Sequence, residues 1–107
     1  MSESRVQITD RPERHRFEAT VDGALAGFAD YVRRPGRIEL THTEVDQRHQ
    51  GRGVAGQLAR AAFGSARERG EQVVPLCPYM AEFVRKHPDQ LDLLGEDDRA
   101  RLAQPQG

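Results

Sequence analysis

The sequence predicts a single mixed α/β domain of the α+β kind, an antiparallel meander followed by helix, parallel strand and helix. Three observations predict it. Up to Val45, apolar and polar residues alternate in short runs punctuated by turn residues. From Gly51 to Arg69 the apolar period becomes helical: Val54, Ala55, Leu58, Ala62, Phe63 and Ala66 share one face. A short apolar run, Gln72–Cys77, then returns after the helix, and such a crossover joins parallel strands. A chain of 107 residues fits one core and not two.

The elements follow in order. Arg5–Thr9 is a first short strand. Arg16–Val21 is the second, with Phe17, Ala19 and Val21 on one side. Asp22-Gly23 closes a hairpin, because a tight hairpin turn needs positive φ. Leu25–Arg33 is the return strand, Arg34-Pro35-Gly36 the next turn, and Arg37–Val45 the fourth strand. Gly70 stops the helix that began at Gly51. Pro78 opens another, running to about Lys86, and His87-Pro88 ends it. Leu91, Leu93 and Leu94 form a turn or short helix, and Glu96–Leu102 a further helix. The domain core is expected over residues 6–94, with 95–107 as a tail and Gln104–Gly107 disordered.

Composition excludes several classes. Hydrophobic residues are 36% and charged residues 31%, so one modest core is available. A net charge of −1 gives no field to gather nucleic acid or anionic lipid. No apolar run reaches membrane-spanning length, and MSESRVQITD has no apolar signal core. With Cys77 as the one cysteine, no internal disulfide forms, and a cytoplasmic location is expected. The histidines and the cysteine lack ligand spacing, so no metal site is expected.

The most informative stretch runs from Val45 through Arg48-His-Gln-Gly51-Arg-Gly53 to Gly56. Two glycines between a strand and a helix let the backbone turn tightly and expose its N–H groups. The first N–H groups of a helix lack internal partners and carry the positive end of its dipole, which suits a pyrophosphate. Arg48 and Arg52 add positive charge, and the competing reading is a turn built for packing alone. Gly51-x-Gly53-x-x-Gly56 also matches a Rossmann dinucleotide fingerprint. Its context is wrong: five polar residues precede the glycines, no acidic residue ends the next strand, and the earlier strands are antiparallel. No Gly-Lys-Ser/Thr occurs, which excludes a Walker loop.

Arg48-His-Gln-Gly51-Arg-Gly53 resembles the coenzyme A turn of the GNAT acetyltransferases, Gln/Arg-x-x-Gly-x-Gly/Ala. With His42-Thr-Glu-Val45, Val74-Pro-Leu-Cys77-Pro-Tyr79 and His87-Pro88, the chain resembles a minimal single-domain GNAT-like branch from about Val6 to Leu94. The resemblance implies helices on both faces of the sheet. It also implies a central parallel pair, Arg37–Val45 and Gln72–Cys77, that splays apart to admit the pantetheine arm of acetyl-coenzyme A. Pro75 suits a splay because it has no N–H for a ladder; a plain edge strand is the alternative. The implied cofactor residues are Val45, Arg48, Gln50, Gly51, Arg52, Gly53, Val54 and Ala55, acting mainly through backbone N–H groups, with Val45 as oxyanion donor.

Amine attack on a thioester needs a base, an oxyanion donor and a proton for the thiolate. Glu44 is the first candidate base and His42 the second; two apart on one strand, they share a face expected to point into the cleft. Both are also compatible with ordinary strand roles, as surface residues or, for His42, as a buried structural histidine. Cys77 is a candidate acid or acyl carrier, or a plain core residue. The family's usual acid is a tyrosine on the second helix; Val84 stands there, and Tyr79 lies about a turn earlier. The implied acceptor is an amine of a small molecule, a peptide N-terminus or a lysine. A coenzyme A-binding module without turnover is the alternative. Phosphate reading of nucleic acid through Arg48, Arg52, Arg60 and Arg67 is a weaker third, set against near-neutral charge and few aromatics. The chain is expected to be a monomer or a weak homodimer.

Overall fold

Asp22 and Gly23 both take positive φ, 51° and 84°, and close the hairpin their sequence predicts. Around it the computed structural model describes residues 6–103; Arg5 and the expected disordered tail Gln104–Gly107 lie outside the described residues. The strands are β1 (Val6–Arg11), β2 (Arg16–Val21), β3 (Ala24–Arg34), β4 (Arg37–Val45) and β5 (Gln72–Pro75). Their spatial order is β1-β2-β3-β4-β5: three antiparallel pairings, then a parallel one between β4 and β5. The helices are α1 (Val54–Arg69), α2 (Pro78–Lys86) and α3 (Glu96–Ala103).

Strand β1 runs two residues past the expected Thr9 because both extra side chains find partners. Asp10 accepts from the Tyr31 hydroxyl, and Arg11 faces Glu18 at 3.6 Å. Helix α1 begins at Val54 rather than Gly51. Gly51 and Gly53 sit at φ 83° and 75°, which a right-handed helix does not contain. Gly70, also left-handed, ends α1 by donating to the carbonyls of Ala66 and Arg67. The leucine cluster becomes a 3-10 turn, Pro88–Leu93, after which Leu94 bridges to Val73.

One face of the sheet carries the core. Phe17, Ala19, Val21, Ala29, Tyr31, Ile38, Leu40 and Val73 are buried there against Leu58, Ala62 and Phe63 of α1 and Met80, Phe83 and Val84 of α2. Phe63 and Phe83 join the two helices, ring centroids 5.4 Å apart. The expectation of helices on both faces is corrected: among the described residues the opposite face has no helix over it. Its rows read Thr9, Glu18, Phe28, Glu44 and Arg16, Asp30, His42, too polar to bury a second layer. Glu18, buried there, is held by Arg14 at 3.0 Å and Arg16 at 2.7 Å.

A bulge at Thr41 decides which residues face the helices. Asp30 pairs with His42 and Tyr31 with Leu40, leaving Thr41 unpaired in the ladder. The extra residue flips the alternation. Ile38 and Leu40 face the helices before it, Thr43 and Val45 after it, and His42 and Glu44 turn to the helix-free face.

Candidate functional site

The parallel pairing is short. It covers Arg37–Leu40 against Gln72–Pro75 and then stops. The N–H groups of Leu76 and Cys77 both converge on the Leu40 carbonyl, at 2.9 and 3.0 Å, and Pro78 immediately starts α2. Beyond that point Thr41–Val45 has no strand beside it on the β5 side among the described residues. Strand β5 is thus paired along its whole length, as the plain edge strand that was the alternative to a splay, and the opening beside β4 comes from the end of β5; two further expectations are corrected. Strand β5 ends at Pro75, not Cys77, and the pair lies at the sheet edge rather than its centre. Pro75 occupies the last paired position, where a missing N–H costs no further ladder bond.

At the mouth of the gap lies the glycine turn. Asp46 caps a 3-10 turn, Gln47–His49, by accepting from the Arg48 N–H at 2.9 Å. The same carboxylate pairs with the Arg48 guanidinium at 3.2 Å, and that pairing, ahead of the backbone bond, holds the Asp46 carboxyl below its ordinary range. Arg48 is thus engaged in shaping the turn. Gly53 then serves as N-cap without a side chain, and the N–H groups of Val54, Ala55 and Gly56 open α1 with no intrahelical acceptor.

These amides border an open pocket of about 360 Å³. Of the residues expected to hold a cofactor, Val45, Gln50, Gly51, Gly53, Val54 and Ala55 line it, whereas the side chains of Arg48 and Arg52 do not. Two residues not expected there complete the wall. His49 is half-buried, and its Nδ1 is buried without a partner among the described residues. Gly56 meets the Tyr79 hydroxyl, which a Cβ at Gly56 would approach to 3.9 Å. A cluster of amides with a positive helix end suits a diphosphate, so the residues present fit the expected ligand.

The four candidate catalytic residues are not gathered in one place. Tyr79 lines the pocket, and burial, partly opposed by Arg60, pushes its phenol above the ordinary value, keeping a proton available at neutral pH. Cys77 is buried as the N-cap of α2, its Sγ accepting from Met80 N–H at 3.4 Å and lying 3.2 Å from the Thr43 hydroxyl. Thr43, which sequence reasoning passed over, is the β4 residue that faces Cys77 across the gap. His42 and Glu44 touch at 3.0 Å but sit exposed on the helix-free face. Val84 is fully buried in the core and carries no proton to give. Among the described residues no group of three metal-binding side chains occurs, and no helix is long and apolar enough to cross a membrane.

A family model described as GCN5-related N-acetyl-transferase matches residues 16–93. Protein NATD1 of Bos taurus is 37% identical over 51 residues, covering 48% of this chain; the chain spans 45% of that relative. Protein NATD1 of Gallus gallus is 35% identical over 85 residues, 78% of this chain and 77% of that protein. Among solved structures, a ribosomal-protein-alanine N-acetyltransferase from Brucella melitensis biovar Abortus 2308 is similar, with TM-score 0.50 and 30% identity. That match covers 71% of this chain and 60% of the bacterial one.

Proposed function

The chain belongs to the GCN5-related N-acetyltransferase family, and on that premise we propose that it transfers an acetyl group from acetyl-coenzyme A to an amine. The observation that carries this reading is the bare edge of β4 beyond Leu40, where β5 has ended, with the amides that open α1 near its far end. In the proposed arrangement the diphosphate sits on the N–H groups from about Gln50 to Ala55. The pantetheine arm runs along Thr43 and Val45, and the Val45 N–H stabilises the oxyanion.

In the proposed arrangement donor and acceptor approach from opposite faces of β4. Glu44 lies on the acceptor side and takes a proton from the substrate ammonium, with His42 hydrogen-bonded behind it. The neutral nitrogen attacks the thioester carbonyl, a C–N bond forms and the C–S bond breaks. The departing thiolate takes a proton from Tyr79 or Cys77, and the nitrogen releases its second proton to water. The lone buried Cys77 suits a reducing compartment such as the cytoplasm. The acceptor is a small molecule or peptide amine, and the working unit a monomer or weak homodimer.

A second reading, a coenzyme A-binding module without turnover, is favoured by Val84 standing in the core at the place of the family acid. Calorimetry with acetyl-coenzyme A, paired with acetyl transfer to an amine panel, separates the two. Absence of binding at millimolar ligand defeats both, and binding without transfer to any amine leaves the module.

A further inference from the structure

We propose that a second pocket, across Val45 from the first, binds a primary ammonium that carries an apolar group and is the acceptor subsite; this rests on the transfer reading above. The pocket measures about 210 Å³ and lies over the paired ends of β3 and β4, on the opposite edge of β4 from the gap. Val45 lines both pockets and separates them. The first is walled by backbone donors and suits an anion. The second is lined by Leu25 and Phe28 from β3 and by Glu44, Val45 and Asp46 from β4 and its end.

The two carboxylates differ. Asp46 is committed to Arg48. Glu44 is 63% exposed and meets only His42 among the described residues, so it presents the contact for a cation. Two cations lie beside the pocket and both are paired: Arg48 with Asp46, and Arg16, which stacks on Phe28 at 4.6 Å, with Glu18 at 2.7 Å. Leu25 is 45% exposed, a large apolar side chain with little protein cover. An anionic acceptor meets the exposed Glu44 carboxylate here, and a small polar amine leaves Leu25 without apolar cover. An alkyl- or arylalkyl-ammonium satisfies both walls and puts its nitrogen beside Glu44.

The test uses the full chain with phenethylamine, ethylamine and phenylalanine as probes. Titration with phenethylamine is followed by amide NMR, alongside separate calorimetry with acetyl-coenzyme A. Saturable shifts at Gly27, Phe28 and Glu44 are expected, together with an acceptor KM for phenethylamine at least about tenfold below that of ethylamine. Phenylalanine, with its added carboxylate, is expected to be the poorest acceptor. Leu25→Lys, at an exposed hairpin position, is expected to raise the phenethylamine KM by about three- to fivefold, the scale of one exposed charge pair. Acetyl-coenzyme A binding with no amine shifts at these residues, or an unchanged KM in Leu25→Lys, overturns the subsite alone. Amine shifts without acetyl-coenzyme A binding overturn the transfer reading and the acceptor role with it.

Discussion

Replacing Gly27 by alanine tests how closely β3 and β4 are pinned at the Val45 end of β4. Gly27 lies opposite Val45, and a Cβ there would stand 2.7 Å from the Glu44 carbonyl oxygen and 3.2 Å from the Val45 Cα. Both are backbone atoms and cannot rotate away, so the strands must part. Overpacking of this kind costs about 1–3 kcal/mol. The alanine recovers about 0.5–1 kcal/mol by restricting the unfolded chain. With two backbone atoms this close the cost falls at about 2–3 kcal/mol, so the expected net loss is about 1–2.5 kcal/mol, read in urea unfolding as a lower midpoint at unchanged m. Gly64→Ala is the control. It lies exposed in α1, with nothing within 4 Å of its built Cβ, and is expected to stabilise by up to about 1 kcal/mol. Because Glu44 and Val45 border the second pocket and Val45 the first, Gly27→Ala is also expected to weaken both ligands. A Gly27→Ala protein within about 0.5 kcal/mol of the parent refutes the close approach.

Three further outcomes follow from the same geometry. Gly53→Ala meets no protein atom within 4 Å, so its φ of 75° sets a stability cost of about 1–2 kcal/mol, while acetyl-coenzyme A affinity falls more steeply in calorimetry. Both tyrosines are expected to titrate above their ordinary value in ultraviolet titration of the folded protein. Burial and the hydrogen bond to Asp10 push Tyr31 up to about 12, and burial raises Tyr79. A raised folded pKa favours the neutral phenol, so this stability is complete below the unfolded value of about 10 and is lost as pH rises toward 12. A native tyrosine titrating at or below 10 contradicts it. Phe63→Ala empties the joint between α1 and α2 and is expected to cost about 3–5 kcal/mol in thermal or urea unfolding, a large share of a small domain's stability.

Much of the frame was legible because turn residues carry their own backbone requirement. Asp22-Gly23, Gly36 and Gly70 sit at the positive φ their positions predict, and Pro78 opens α2. The glycine turn was legible for the same reason, since Gly51 and Gly53 are left-handed and leave the amides of α1 without an internal acceptor. The faces of β4 were not. Simple alternation puts His42 and Glu44 with Ile38 and Leu40, and the bulge at Thr41 reverses this. A bulge arises from pairing with the neighbouring strand, and one strand's letters do not announce it. The uncovered face, by contrast, had a signal in the polar rows through Glu18, Asp30 and Glu44. Cys77, expected to close β5, lies beyond its end, where its thiol caps α2 and meets Thr43, a contact 34 residues apart in sequence.

Amide NMR of the labelled chain during an acetyl-coenzyme A titration tests the central claim most directly. The account predicts saturable shifts at Gly51, Gly53, Val54 and Ala55, continuing through Val45 and Thr43 along the unpaired edge of β4. Shifts confined to other surfaces, or none at millimolar ligand, contradict it.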